Sequence, residues 1–358
     1  MRIAVLGVGL IGGSIGLAAR NRAEAEVIGY DPDPGVRDRA LKLGAIDRGA
    51  GHIEEAVEGA QAVFVAAPVG VLPATVGRAL AAAPADCVVS DVGSTKRILA
   101  EAAADERFVG GHPLAGAETE GVQHAREDLF DGAVWYLTPA PQSTAGVLYE
   151  RLHVLLRRLG AHPTAIDAGT HDRLMANVSH LPHVIANLLV GQVAAEGAVE
   201  GGGRLPAIGP SFRDAIRVAG ANSAIWTDIY LSNADALLAA IDELDGRLDE
   251  ARALILTGDA KGLTAWIDGA RAERDSLLGA GLSGDSVHEL RVHVPNRPGV
   301  VAEIALALGE AGVNIGDLGL SPSSDNSQGV VALWIAGEEQ AKRAQGLVTG
   351  LGFPVVRA

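Results

Sequence analysis

The run Arg2-Ile3-Ala4-Val5-Leu6 passes directly into Gly7-Val8-Gly9-Leu10-Ile11-Gly12, so an apolar strand meets a glycine-spaced turn and then a helix start. That order constrains the fold more than any other feature, because each glycine has its own task in a unit that cradles a pyrophosphate. Gly7 permits the tight turn, Gly9 lets a phosphate approach the backbone, and Gly12 lets the helix pack on the strand. Leu10 and Ile11 open the helix, whose N-terminal N–H groups face the negative charge. A second apolar strand, Glu26 to Tyr30, ends in Asp31, 19 residues beyond Gly12. A carboxylate there accepts hydrogen bonds from an adenosine ribose and repels a 2′-phosphate, which favours NAD over NADP. The alternative is a turn aspartate before Pro32.

A chain of 358 residues is long enough for two or three domains, each with its own core. With 48% hydrophobic and 20% charged residues it reads as soluble and globular. The net charge of −15 leaves no basic stripe to neutralise a phosphate backbone, so no nucleic-acid partner is expected. Cys87 is the only cysteine, which excludes an intrachain disulfide and a thiolate metal cluster and fits a reducing compartment. The first strand starts at Arg2, leaving no room for a targeting peptide, and no run of about 18 uncharged apolar residues stands out. A cytoplasmic protein with no membrane partner is the expectation.

From residue 1 to 165 short apolar runs alternate with helical stretches: Ala62–Ala66, Cys87–Ser90, Arg107–Gly110 and Val134–Thr138. The pattern predicts an α/β fold, a Rossmann-like doubly wound parallel sheet. Residues 166–280 carry long amphipathic helical patterns and predict an all-helical domain. After the small, polar stretch from Gly279 to Asp285, residues 286–358 read strand, helix, strand, strand, helix, strand, the βαββαβ order of a ferredoxin-like unit.

Ligands in an open α/β sheet collect at the carboxyl ends of the strands. Pro68, Ser94 and His112 each follow such a strand. His112 has the pKa range for taking a hydroxyl proton near neutrality, and Ser94 suits a helix N-cap, a substrate contact or both. The helical part offers His171, His180 and His183, but Pro182 interrupts them and no further ligands complete a set, so no metal is expected. Arg213 and Arg217, four apart, and Trp226 beyond them would suit an anionic substrate, since a guanidinium clamps a carboxylate through two hydrogen bonds.

Taken together, Gly7-Val8-Gly9-Leu10-Ile11-Gly12-Gly13-Ser14, Asp91-Val92-Gly93-Ser94-Thr95-Lys96, Gly111-His112-Pro113-Leu114-Ala115-Gly116-Ala117-Glu118, Val178-Ser179-His180-Leu181-Pro182-His183 and the stretch from Arg217 to Trp226 make the chain resemble the prephenate/arogenate dehydrogenases of tyrosine biosynthesis. Nearly the whole chain is covered, the end of it resembling an ACT regulatory domain through Asn296-Arg297-Pro298-Gly299 and Asn314-Ile315. The resemblance implies NAD-dependent oxidative decarboxylation, with His112 as base, Ser94 assisting it and Arg217 on a substrate carboxylate. It further implies that His183 and Glu118 shape the pocket beside Arg213 and Trp226, that tyrosine binds the ACT unit near Asn296, Pro298, Gly299 and Asn314, and that the protein is a homodimer. Gly111, Ala117, Ile216 and Thr227 depart from the family's usual residues, at positions expected to face the substrate side chain, which bears on prephenate against arogenate. Other Rossmann-plus-bundle dehydrogenases use a helical-domain lysine, and none of the four lysines here sits suitably. A non-catalytic sensor of dinucleotide and amino acid is the reading from outside the enzymes.

Overall fold

The computed structural model describes residues 1–100, 102–116, 119–139, 146–199, 207–280, 287–322 and 328–357. They form two compact units, Met1–Asp245 and Gly246–Ala358. The first unit begins with β1 (Arg2–Leu6), α1 (Leu10–Ala23), β2 (Glu26–Tyr30), α2 (Pro34–Lys42), β3 (Arg48–Gly49), α3 (Ile53–Val57), β4 (Ala62–Val65), α4 (Leu72–Ala82) and β5 (Val88–Asp91). These strands make a parallel sheet of order β3-β2-β1-β4-β5, the Rossmann-like arrangement. Side-chain alternation explains its two covered faces. Ile3, Val5, Ala62 and Phe64 enter one core with α1, whereas Ala4, Leu6, Val63 and Val65 enter the other with α3 and α4. The short edge strand β3 has only exposed residues and so carried no hydrophobic signal.

Next come β6 (Val109–Pro113), β7 (Val134–Pro139), α5 (Val147–Arg158) and β8 (His162–Ala165). They correct one expectation: these strands form a separate sheet, β6-β7-β8, in which β6 and β7 run antiparallel. A single parallel bridge, Val89 to Phe108, links this sheet to β5. Among the described residues the β6–β7 connection holds only a 3-10 turn, Val122–His124, and without a crossover helix the chain returns antiparallel.

Helices follow: α6 (Ala168–Met175), α7 (Leu181–Val199), α8 (Pro210–Ile216), α9 (Ser223–Ser232) and α10 (Ala234–Thr257). Between α6 and α7 lies a π-helical stretch, Ala176–His180, ending two residues before Pro182. Proline has no N–H for an ordinary helical bond and its ring crowds the preceding turn, so the helix widens here instead of breaking. Arg213, Arg217 and Trp226 lie on three separate segments. Arg213 lies in α8, Arg217 starts a 3-10 turn, Arg217–Gly220, and Asn222 caps α9 by accepting from the N–H groups of Ala224 and Ile225. Ala168–Ala195 is long and apolar enough, by composition, to cross a membrane, which the sequence reading did not anticipate. Its polar residues His171, Asp172, His180 and His183 are nevertheless buried in the protein, while Val178 and Leu188 are exposed.

The second unit takes up the remainder of α10 and adds α11 (Ala260–Ala280), β9 (Val287–Pro295), α12 (Val300–Glu310), β10 (Asp317–Pro322), β11 (Gln328–Ala336), α13 (Glu338–Gly350) and β12 (Val355–Arg357). Its sheet has the order β10-β11-β9-β12 with every neighbour antiparallel. One face is buried: Leu290, Val292 and Val294 of β9 and Val331, Leu333 and Ile335 of β11 meet Ile304 and Leu308 of α12 and Ala344 and Val348 of α13. Alternation with period two places those residues on one side of the pleat.

Candidate active site

The glycine turn after β1 is built as its sequence requires. Gly7 has φ +96°, and a Cβ there would lie 2.2 Å from the Ala66 carbonyl oxygen; one on Gly12 would lie 1.9 Å from the Gly7 carbonyl oxygen. Neither position tolerates a side chain. A Cβ on Gly9, by contrast, would meet nothing within 4 Å, and Gly9, the N-cap of α1 before Leu10 and Ile11, makes no side-chain capping bond. Asp31, at the end of β2, accepts a hydrogen bond from the Val8 N–H at 3.2 Å and one from Asp33. A cradle that a Cβ would fill, with a carboxylate tied to its rim, fits a dinucleotide. Pro68 is exposed just beyond β4, and Gly70 in the following turn donates to Asp228 of α9 at 3.1 Å.

His112 lies within β6, not beyond it, opposite Tyr136 of β7. Its support starts from two glycines. A Cβ on Gly110 would meet Thr138 Oγ1 of β7 at 2.3 Å, and one on Gly111 would meet the Asp91 carbonyl oxygen of β5 at 2.5 Å, so at Gly111 β6 runs closer to β5 than a side chain permits. Gly111 therefore faces Asp91, Ser90 and Trp135 and not a substrate, which corrects the expectation for that position. The close approach lets the Gly111 N–H donate to Asp91 Oδ1 at 3.0 Å, and Lys96 Nζ donates to the Gly111 carbonyl at 2.6 Å and to Asp91 Oδ2. Both ionic side chains are fully buried. Gly111→Ala is expected to lower stability by about 1–3 kcal/mol, the usual range for overpacking, as a shifted urea midpoint at unchanged slope. An unmoved midpoint would mean that the strand pair can spread.

On its other side His112 meets the helices. Its Nδ1 lies 2.9 Å from His171 Nε2, and His171 Nδ1 lies 2.8 Å from Asp172 Oδ1. Asp172 also accepts from the backbone N–H groups of Lys96 at 2.8 Å and Arg97 at 2.9 Å, and from Arg97 Nε at 3.2 Å. Burial would raise the Asp172 pKa, but the bonds from His171, Arg97 and Lys96 outweigh it and hold the group below the usual carboxylate range. Half-buried His112 is pushed well below an ordinary imidazole, first by burial and then by its neighbours His171, Lys96 and His180. It is thus neutral at pH 7.

Beyond His171 the cluster continues. The Asn233 amide donates to the Asp172 carbonyl at 2.7 Å and lies 3.3 Å from His180 Nδ1. Burial lowers His180 to about 4, and its Nε2 has no hydrogen-bond partner among the described residues. Trp226 stands edge-on to His180 and stacks flat on His183, with ring centroids 3.7 Å apart. The Tyr230 hydroxyl lies 2.5 Å from His183 Nδ1, and the Asn187 amide donates to the His183 backbone carbonyl at 2.8 Å. His183, Asn187, Ser223, Trp226, Thr227 and Tyr230 border an open hollow of about 360 Å³.

The structure thus joins His183 to Trp226 and Asp31 to the glycine turn. Ser94 is half-buried and makes no hydrogen bond to His112; a lone 3-10 turn, Arg97–Leu99, follows it, so the expected N-cap role is corrected. Arg213 and Arg217 are both exposed, on separate segments. Glu118 lies outside the described residues. No group of three or more metal-ligating side chains arranged around one point occurs among the described residues. Sequence reasoning passed over Lys96, Asp91, Asp172 and the part played by His171. The available signal was polar residues amid apolar runs, which when buried must find partners.

In the second unit, a pocket of about 490 Å³ is lined by Asn296, Gly299, Ala302, Ala305, Gln328 and Gly329 among others. Gly299, with φ +87°, precedes α12, while Pro298 and Asn314 do not line the pocket.

Comparison with known proteins bears on both units. Residues 15–164 match the family model of the prephenate dehydrogenase nucleotide-binding domain, and residues 167–268 that of the prephenate dehydrogenase dimerization domain. Prephenate dehydrogenase of Bacillus subtilis is 34% identical over 352 residues, 96% of this chain and 94% of the relative. Among solved structures, Synechocystis arogenate dehydrogenase has TM-score 0.68 at 28% identity, covering 77% of this chain and all of its own. Prephenate dehydrogenase from A. aeolicus, in complex with hydroxyphenyl propionate and NAD+, has TM-score 0.68 at 27% identity, covering 77% of this chain and 98% of its own.

Proposed function

The chain belongs to the prephenate dehydrogenase family, and from that premise we propose that it converts prephenate to 4-hydroxyphenylpyruvate and CO2 with NAD. The observation that carries this reading is His112: a neutral imidazole on the sheet rim, held through Nδ1, with no hydrogen-bond partner for Nε2 among the described residues. Gly7, Gly9, Gly12, Leu10, Ile11, Asp31 and Pro68 would hold the dinucleotide, which when bound supplies the hydride acceptor. His112 takes the proton of the ring hydroxyl as hydride leaves the same carbon. The bond to the ring carboxylate then breaks, its electron pair enters the ring, and the phenolate oxygen so formed takes the proton back from His112. No net proton is released, so the protein's work is alignment and the loan of a proton.

Arg217 and Arg213 would meet substrate carboxylates, His183, Trp226 and Glu118 would wall the pocket, and Ser94 would contact the hydroxyl once substrate is bound. A second reading, arogenate to tyrosine, is favoured by the equal similarity of the Synechocystis arogenate dehydrogenase. Steady-state rates with prephenate and with arogenate, each with NAD and NADP, decide between them, and reduction of neither cofactor by either compound would overturn both. Asp31→Ser removes the charge that repels a 2′-phosphate, and kcat/KM for NADP relative to NAD should rise at least about tenfold. An unchanged ratio would free Asp31 of that role.

Three domains are proposed within the chain: 1–165 for the dinucleotide, 166–280 for substrate and dimerisation, and 286–358 as an ACT unit. The sheet order of the last and its pocket at the start of α12 support an amino-acid site, with tyrosine as the expected effector. Titration calorimetry of the intact protein with tyrosine tests it, and absence of both heat and inhibition removes it. The exposed apolar side chains Val178 and Leu188 on the helix through α7 support a homodimer, and a soluble biosynthetic enzyme of this kind would work in the cytoplasm.

A further inference from the structure

His112 can serve as a base only through Nε2, and only if Nε2 lacks a proton. The structure contains a chain of bonds that decides this. Asp172, held ionised, can only accept, so the nitrogen facing it at 2.8 Å, His171 Nδ1, carries a proton. In a neutral ring the other nitrogen, His171 Nε2, is then bare and must accept from its partner at 2.9 Å. That partner, His112 Nδ1, is therefore the N–H, and His112 Nε2 is left with a free lone pair. We propose that Asp172 and His171 are positioning residues that fix the tautomer of His112, so that Nε2 is the nitrogen presented to the substrate hydroxyl. The chain is anchored as well as directed: Asp172 takes two backbone N–H groups and the Arg97 guanidinium, and Arg97 Nη2 in turn donates to Asn233 at 2.9 Å. The titratable groups whose charge bears on His112 are His171, which it contacts, His180 from the helices and Lys96 from beyond β5. A proton placed on His171 Nε2 would reverse the chain, making His112 Nδ1 the acceptor and Nε2 the N–H.

The inference rests on the proposed role of His112, but its first test does not need turnover. In the full chain labelled with nitrogen-15 at its ten histidines, the His112 resonances, assigned through H112N, should show Nδ1–H and bare Nε2 at pH 7.5. Asp172→Asn presents an amide N–H that turns His171 over and should convert His112 to Nε2–H. Rates provide the second readout. D172N should lose about 100-fold or more in kcat with KM little changed, since the wrong tautomer disables an otherwise intact base. His171→Gln keeps an acceptor for His112 Nδ1 and should retain kcat within about tenfold, whereas His171→Met has none and should fall with D172N. Should D172N fail to fold, the contrast between Gln and Met at 171 still decides. His112 protonated at Nε2 in the parent protein, D172N folded at full kcat, or Gln and Met equally damaging would each overturn the proposal. A parent protein inactive on prephenate and arogenate would overturn the functional reading, while the nitrogen-15 spectra continue to report the tautomer.

Discussion

His112→Asn should lower kcat by about 10²–10⁴-fold, the range that general-base catalysis contributes, with the affinity for NAD unchanged. Asparagine is the informative replacement because its amide nitrogen can take the place of Nδ1 and keep the bond to His171, now 2.9 Å, while supplying no base. The loss then reports proton transfer and not a collapsed pocket. Turnover within a few-fold of the parent would exclude His112 as the base and favour the dinucleotide sensor. The same residue sets a pH profile. His112 works neutral, and burial holds its pKa well below that of an ordinary imidazole, so kcat/KM should stay level from neutrality down through about pH 6.5 and decline only at more acid pH. A midpoint at or above 6.5 would contradict the surroundings described for this ring.

Much of this site is legible in the sequence because its cofactor half is local. Strand, glycines and helix follow one another within a dozen residues, and the acidic residue that completes them sits at the end of the very next strand. The catalytic half is different. His112 could be picked out because it follows an apolar run, but its surroundings come from residues 91, 96, 171 and 172, brought together by a crossing of sheet and helices that no periodicity records. His171 was visible only as one of three histidines, a pattern that also invites a metal, and beside its contact with the adjacent Asp172 at 2.8 Å the one with His112 at 2.9 Å is tertiary. Gly111 shows the converse. Its departure from the family pattern suggested a change in substrate contact, whereas the space it leaves is filled by the carbonyl of Asp91, a packing demand between neighbouring strands. Proline at 182 announced a disturbed helix, yet whether the helix would break, kink or widen depended on tertiary packing, and it widened.

Lys96→Met should destabilise the protein by about 3–5 kcal/mol, the usual cost of removing one member of a buried ion pair. Lys96 Nζ donates to Asp91 and to the Gly111 carbonyl, and both charged side chains are shut off from solvent. Burial pulls the Lys96 pKa down while Asp91 pulls it up, and burial prevails, so the cost of desolvating the ammonium is already felt in the folded state. Methionine fills most of the space but leaves Asp91 as a carboxylate facing only the N–H groups of Gly93 at 2.8 Å and Gly111 at 3.0 Å, with no cation. The double change Lys96→Met with Asp91→Asn removes the stranded charge and keeps an oxygen for one of those N–H groups. It should therefore be more stable than Lys96→Met alone, by about 1 kcal/mol or more of coupling in a double-mutant cycle. Urea titrations of the parent, both single variants and the double variant measure it. Additive effects would show that the two side chains stabilise the fold independently, and a single-variant cost under about 1 kcal/mol would show that water reaches the pair. Because Lys96 also fixes the residue before His112, the stability lost at this pair and the alignment of the base have one origin: β6 is drawn against β5 by a lysine that reaches across two glycines.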